Sequence, residues 1–144
     1  MPNYPLVTYH FSVEWGGTRI AFTEVSGLDV ELEVIHYREG STPEYQDRLM
    51  PGRIKYSNLV LKRGIVAGDN EFYNWMNTAS LNTIERRDIK INLLNESHEP
   101  IVIWKVKNAF PVKYRGPILI ANESNVAMEE LELVHEGFNV EYVQ

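Results

Sequence analysis

Apolar and polar side chains alternate with a period of two along much of the chain, the pattern of a strand with one face on a core and the other in water. Residues 8–15 put Tyr9, Phe11, Val13 and Trp15 on one face and Thr8, His10, Ser12 and Glu14 on the other. Gly16-Gly17 supplies the positive backbone angles of a tight hairpin, and the returning strand carries Ile20 and Phe22 inward before Ser26-Gly27 breaks it. The longest alternation follows, Leu28-Asp29-Val30-Glu31-Leu32-Glu33-Val34, with one face aliphatic and the other acidic.

Across 39–52 the pattern dissolves into a polar stretch containing Gly40, Pro43, Pro51 and Gly52, which reads as a long loop or extended arm. Strand character resumes over 54–62. The one convincing helix spans about 69–80, where Asp69 can cap it and Phe72, Trp75, Met76 and Ala79 form one apolar stripe that closes over a sheet. Further strands are predicted at 88–94, 101–108, 126–135 and 138–143, with a turn at 95–100. Seven or eight strands and one α-helix describe a mainly β protein, an antiparallel sandwich or barrel. The absence of βαβ alternation removes the doubly wound folds and their nucleotide sites.

The 144 residues suit a single domain spanning 1–144. Without cysteine there are no disulfides, thiolate zinc sites or cysteine nucleophiles. A net charge of −6 argues against a nucleic-acid-binding surface, where Lys and Arg must neutralise phosphates. The adjacent basic pairs, Lys62-Arg63 and Arg86-Arg87, read as solvated strand or helix ends. No apolar run approaches the roughly 20 residues of a membrane helix, so no membrane-spanning segment is expected. The opening Met1-Pro2-Asn3-Tyr4-Pro5-Leu6 does not read as a signal peptide.

Candidate chemistry is sparse. His10, His36, His98 and His135 lack the short paired spacing of a zinc site and read as ordinary surface or half-buried histidines. A Ser-His-Asp site is recognised by geometry rather than position, and no residues here recommend one. The glycines lack the context that cradles phosphates, so neither a cofactor nor a metal is expected. Glu129-Glu130 are neighbours on one strand and point to opposite faces, so they do not converge on a substrate. The stripe of Asp29, Glu31 and Glu33 has two readings, a solvated outer face or the wall of a water-filled passage; Glu130 and Glu132 make a similar stripe.

Several strings then occur in a characteristic order: Thr23-Glu24-Val25-Ser26-Gly27-Leu28, Val34-Ile35-His36-Tyr37-Arg38-Glu39-Gly40, Met50-Pro51-Gly52-Arg53 and Leu61-Lys62-Arg63-Gly64. Phe72-Tyr73-Asn74-Trp75, Glu85-Arg86-Arg87-Asp88-Ile89, Trp104, Asn108-Ala109-Phe110-Pro111-Val112-Lys113 and Glu130-Leu131-Glu132-Leu133-Val134-His135-Glu136-Gly137 continue it. Together they cover nearly the whole chain. The set resembles the tail tube protein family, the inner tubes of contractile phage tails and of phage-derived extracellular injection systems.

The resemblance implies a structural protein and no enzyme. Subunits form hexameric rings that stack into a hollow tube, driven through a target envelope when a surrounding sheath contracts. Implied partners are further copies of the chain, the sheath protein, and baseplate and terminator proteins; cargo protein or DNA passes through the lumen without specific binding. The implied setting is assembly in the producing cell's cytoplasm as part of a phage tail or tail-like particle that can be released outside it. Carried onto this chain, Asp29, Glu31 and Glu33 become lumen-facing, and Glu39, Gly40, Pro43, Tyr45, Arg48, Pro51 and Gly52 an arm that reaches the adjacent ring. The competing reading is a monomeric ligand-binding β-sandwich, which suits exposed aromatics such as Tyr4, Tyr45 and Tyr114.

Overall fold

A computed structural model describes residues 6, 8, 10–17, 22–38, 40, 48–81 and 83–143. Among them are nine strands: β1 (Phe11–Glu14), β2 (Phe22–Ser26), β3 (Val30–Tyr37), β4 (Arg48–Tyr56), β5 (Leu59–Gly64), β6 (Arg87–Leu94), β7 (Pro100–Arg115), β8 (Met128–Val134) and β9 (Phe138–Tyr142). One helix, α1 (Glu71–Asn77), continues into a 3-10 turn. Seven strands join in the order β1-β6-β7-β8-β5-β2, with β9 also on β7, and every pairing is antiparallel.

Strand β7 is the corner of this sheet, pairing through its first part with β6 and β9 and through its last part with β8. The change of partner falls just past Asn108, whose φ of 48° lies in the left-handed region that asparagine tolerates better than most residues. Its backbone N–H donates to Asp88 Oδ1 at 3.0 Å. The sequence reading stopped the strand at this break; past it the chain resumes pairing with β8 as far as Arg115. Pro111 is accommodated because the side of β7 facing β6 has no ladder partner beyond Ala109 among the described residues.

The core forms where the inward residues of both halves of the sheet meet the helix. Leu59 and Leu61 of β5, Ile89 and Ile91 of β6, and Leu131 and Leu133 of β8 are buried, each pair two positions apart as a pleated strand requires. Phe72 and Trp75, on one face of α1, close over them. Trp15 packs edge-on against Phe72 with ring centroids 5.1 Å apart, and Phe22 stacks on Phe72 at 5.8 Å. Fully burying a phenylalanine such as Phe72 contributes roughly 1.5–3 kcal/mol. Asp69 accepts the Glu71 N–H at 3.2 Å, close to the expected cap, although the N-cap position itself is Asn70. Trp75 Nε1 donates to the Glu85 carbonyl at 2.7 Å and ties the helix to the segment entering β6.

The pairing overturns one expected hairpin. Strand β1 pairs with β6 and β2 with β5, so among the described residues the strands flanking Gly16-Gly17 do not pair with each other; Ile20 lies outside the described residues. The partners of β2 and β3 are instead β5 and β4, so the chain runs antiparallel to itself through both pairings, although β5 also pairs with β8 inside the seven-stranded sheet. The expected strand over 54–62 is accordingly two strands separated by Ser57 and Asn58. At this break the Ser57 N–H still donates to the Asp29 carbonyl at 3.2 Å, so the pairing bends without parting. Gly27 makes the bend possible: its φ is +94°, and a Cβ there would lie 1.9 Å from the Asn58 carbonyl oxygen.

Candidate assembly surface

Beyond the bend, β3 and β4 form a separate two-stranded sheet whose residues are exposed along nearly its whole length. The register places Val30 opposite Tyr56, Leu32 opposite Ile54, Val34 opposite Pro51 and His36 opposite Leu49, so one face is largely apolar, interrupted by His36 toward the tip. The sequence reading set this aliphatic face on the protein's own core. Apart from Tyr56 at its base, which packs on the body, this face is exposed among the described residues: Val30 is 57% exposed, Ile54 59% and Leu49 67%. An isolated two-stranded sheet is only marginally stable in water, and an exposed apolar face of this size is the kind of surface that contacts something else.

The opposite face carries the acidic stripe. Glu31 stands across from Lys55, and Lys55 Nζ lies 4.0 Å from Glu33. A lysine therefore partly offsets the stripe, which along β3 alone reads as uniformly acidic. Toward the tip the same face turns apolar, with Ile35 opposite Met50, and then presents Tyr37 opposite Arg48. Asp29 lies at the base, where its carbonyl accepts the Ser57 N–H.

The arm divides between two settings. Glu39, Pro43 and Tyr45 lie outside the described residues, and Gly40 sits in a turn. Arg48, Pro51 and Gly52 are strand residues of β4, so pairing extends further than the expected loop over 39–52. Pro and Gly at these positions suggested a loop because both weaken strands. The ladder accommodates them with a register shift between Leu32 and Val34, on an edge where proline is tolerated.

The base of the ribbon is fixed to the body by side chains. Asn58 Nδ2 donates to Glu132 Oε2 at 3.0 Å, the chief reason the Glu132 carboxyl titrates below its ordinary range. The His135 Nε2 lies 3.0 Å from the Ser57 carbonyl, while His135 Nδ1 accepts the Gly137 N–H at 3.1 Å. Tyr56 packs on Phe138 with ring centroids 5.1 Å apart, directly over Gly137, where a Cβ would come within 3.0 Å of the Tyr56 ring.

Under the helix lies a buried charge cluster that the sequence reading missed. Arg63 is 1% exposed rather than solvated. Its Nε donates to Glu129 Oε1 at 2.9 Å, its terminal nitrogens donate to both oxygens of Asp69 at 3.2 and 3.3 Å, and its guanidinium lies 4.1 Å from the Phe72 ring centre. Glu129 accepts a further bond from the Tyr114 hydroxyl at 2.8 Å, which makes Tyr114 a half-buried structural residue and no open aromatic platform. Burial pushes the Tyr114 hydroxyl up to about 12, its hydrogen bond to Glu129 and the Glu129 charge add to this, and Arg63 opposes it. Glu130, one position on, faces outward to Lys62 and Arg115 as strand geometry requires. Arg87 likewise departs from the solvated reading, lying 4.5 Å from the Trp75 ring centre, while Arg86 remains half exposed.

The histidines stay scattered except that His10 and His98, remote in sequence, meet edge-to-face with ring centroids 4.4 Å apart. Among the described residues no three His, Asp or Glu side chains are grouped to hold a metal ion, and no helix is long and apolar enough to cross a membrane.

The described residues form an antiparallel body from which an exposed two-stranded ribbon projects. The profile of the T4-like virus tail tube protein gp19 family matches residues 7–139, and the chain belongs to this family. It is a structural subunit of the inner tube of a contractile tail or injection system. Among solved structures, it is similar to a chain of the PVC sheath-tube complex of an extracellular contractile injection system, with 34% identity over 98% of this chain and 94% of that one and a TM-score of 0.87. It is similar to a chain in the anti-feeding prophage cap structure, with 34% identity, 99% and 95% coverage and a TM-score of 0.88. A chain in the six-fold symmetrised anti-feeding prophage baseplate shows 25% identity, 99% coverage of each chain and a TM-score of 0.84. None of the curated proteins compared matches the chain.

Proposed function

We propose that this chain, as one domain, closes into hexameric rings that stack into the tube of a contractile injection particle, with the β3–β4 ribbon as the element that joins subunits. The uncovered aliphatic face of that ribbon carries the reading, because a free monomer would leave Val30, Leu32, Val34 and Ile54 in water. Laid on a neighbour's sheet in a closed ring, the ribbon gains a core and the neighbour loses an exposed edge. Six-fold order is supported by the similarity to the symmetrised baseplate chain.

In this arrangement the face opposite the aliphatic one turns to the lumen, and Asp29, Glu31 and Glu33 give it a negative, non-adhesive lining for protein or DNA cargo. Residues 39–52 form the arm, reaching the adjacent ring with Glu39, Gly40, Pro43, Tyr45, Arg48, Pro51 and Gly52. A contractile sheath surrounds the tube and baseplate and terminator proteins close its ends, a setting supported by the sheath-tube, cap and baseplate relatives. Rings form in the cytoplasm of the producing cell before the particle is released.

Negative-stain electron microscopy of the purified chain at rising concentration tests this: six-fold rings and stain-filled tubes are expected. Removing 41–47 should leave rings and abolish long tubes. Persistent monomers at high concentration, even with a baseplate template, would overturn the ring reading; normal tubes from the shortened chain would overturn the arm.

A further inference from the structure

The two-stranded ribbon joins the body at a bend, and one side chain is bonded to both sides of it. His135 directly follows β8; its Nδ1 accepts the Gly137 N–H at 3.1 Å and its Nε2 lies 3.0 Å from the Ser57 carbonyl oxygen. A ring nitrogen that accepts carries no proton, and a carbonyl oxygen only accepts. The imidazole is therefore neutral, with its one proton on Nε2 and donated to Ser57. A single tautomer satisfies both contacts. Ser57 stands between β4 and β5, where the chain passes from the ribbon into the seven-stranded sheet.

The groups around this imidazole are held by other bonds. The Glu136 N–H donates to the Lys107 carbonyl and the Gly137 carbonyl accepts the Lys107 N–H, both at 2.9 Å, so β7 brackets the peptide that presents the Gly137 N–H. The rings of Tyr56 and Phe138 flank the imidazole with centres 5.7 and 6.1 Å away, and Tyr56 is the titratable side chain in ring contact with it. The carboxylates nearest along the chain are engaged elsewhere, Glu132 with Asn58 and Arg115 and Glu136 with Arg86 and Asn108. Asp29 and Lys107 reach the site through backbone groups.

Protonation sets the two contacts of His135 against each other. An imidazolium carries a proton on each nitrogen, and the new Nδ1–H meets the Gly137 N–H donor to donor. Because β7 holds the Gly137 peptide, the ring is what turns, and turning it takes Nε2 off Ser57. We infer that His135 is a proton-operated latch at the base of the ribbon: neutral, it locks the bend; protonated, it releases Ser57 and frees the angle between ribbon and body. The Asn58 bond to Glu132 and the Tyr56–Phe138 contact remain, so the ribbon loosens without detaching. The consequence for assembly rests on the ring reading proposed above. A ribbon that must lie along a neighbour in one orientation closes a ring less readily once that orientation is free, because the freedom is then lost on association.

Hydrogen exchange read by mass spectrometry on the dilute, full chain tests the latch at about pH 8 and about pH 5, the limits between which histidine changes charge, with exchange times scaled to the intrinsic rate at each. In acid the peptides containing Ser57 and Gly137 should lose protection several-fold. His135→Gln, whose amide can donate to Ser57 and does not titrate, should keep the Ser57 peptide protected at both values, and His135→Ala should leave it open at both. Equal protection of the wild type in acid and base would overturn the latch, as would a His135→Gln chain that loosens in acid as the wild type does. Sedimentation velocity under the same conditions reads the consequence: the wild-type ring population should fall several-fold in acid while that of His135→Gln holds. Rings that persist in acid over a loosened base would overturn the tie to ring closure. Exchange is read on the single chain, so a protein that forms no rings at either value strikes the ring reading alone, and the exchange result still decides the latch.

Discussion

At the scale of single residues, Arg63 carries its charge into the middle of the protein and is matched on every side. Three charge-assisted bonds to Glu129 and Asp69 and a ring face at Phe72 replace the water it has lost. Such a cluster adds little net stability over an apolar core of the same shape, but removing one partner leaves a buried charge unmatched at a cost of about 3–5 kcal/mol. Tyr114 extends the cluster and gives it a dependence on alkaline pH. Its hydroxyl titrates at about 12 in the folded protein against about 10 in an unfolded chain. Below pH 10 both states hold the proton and the contribution is fully present; between about 10 and 12 the unfolded chain alone releases it, and stability falls across that window. Urea unfolding of the wild type and Tyr114→Phe from pH 9 to 12 should show the wild-type advantage shrinking as pH rises. A pH-independent gap between them would contradict it. The cluster was partly legible in the sequence. Leu59, Leu61 and Arg63 fall in one phase of the alternation, as do Glu129, Leu131 and Leu133, so both charges were on inward positions. Residue type, which sends arginine outward, hid what the phase already indicated.

At the scale of elements, alternation identifies strands well and says nothing of what their apolar faces cover. It located β6, β8 and β9 within a residue or two, and β3 and the helix with its buried stripe to within three. It failed where local rules mislead: Gly16-Gly17 resembles a hairpin turn, yet its flanking strands take distant partners, and Asn108 looks like a strand end although β7 continues through it. It also could not separate a face on the protein's own core from one awaiting a neighbour, since both read as aliphatic. That ambiguity predicts an uncommon mutational result at Leu32, which is 49% exposed in the protomer. Leu32→Ser should change protomer stability by no more than about 0.5 kcal/mol, the usual range for exposed positions. It should nonetheless abolish rings. Thermal unfolding and sedimentation velocity on the same preparation separate these effects, and a large loss of protomer stability would mean that the ribbon packs on its own body.

At the scale of the whole molecule, a chain with net charge −6 must pack against itself repeatedly, which favours placing like charges where water and ions remain. A lumen satisfies that condition, since a face lining it is never buried against another subunit. Lys55 changes the argument quantitatively: by standing across from Glu31 and near Glu33 it reduces the stripe to a moderate negative potential instead of a dense acidic wall. Such a lining repels polyanions weakly, and salt should erase the effect within the ordinary Debye range of about 10 Å at 0.1 M. On the proposed lumen placement the stripe joins no subunits, so replacing Asp29, Glu31 and Glu33 by their amides should leave tube length unchanged. The amide tubes should retain short duplex DNA at low ionic strength where wild-type tubes release it, and the two should converge as salt is raised. Co-sedimentation of labelled DNA with tubes across a salt series reads this directly. If the variants failed to form tubes, the stripe would belong to a subunit interface, where its carboxylates would need partners that the lumen reading does not give them.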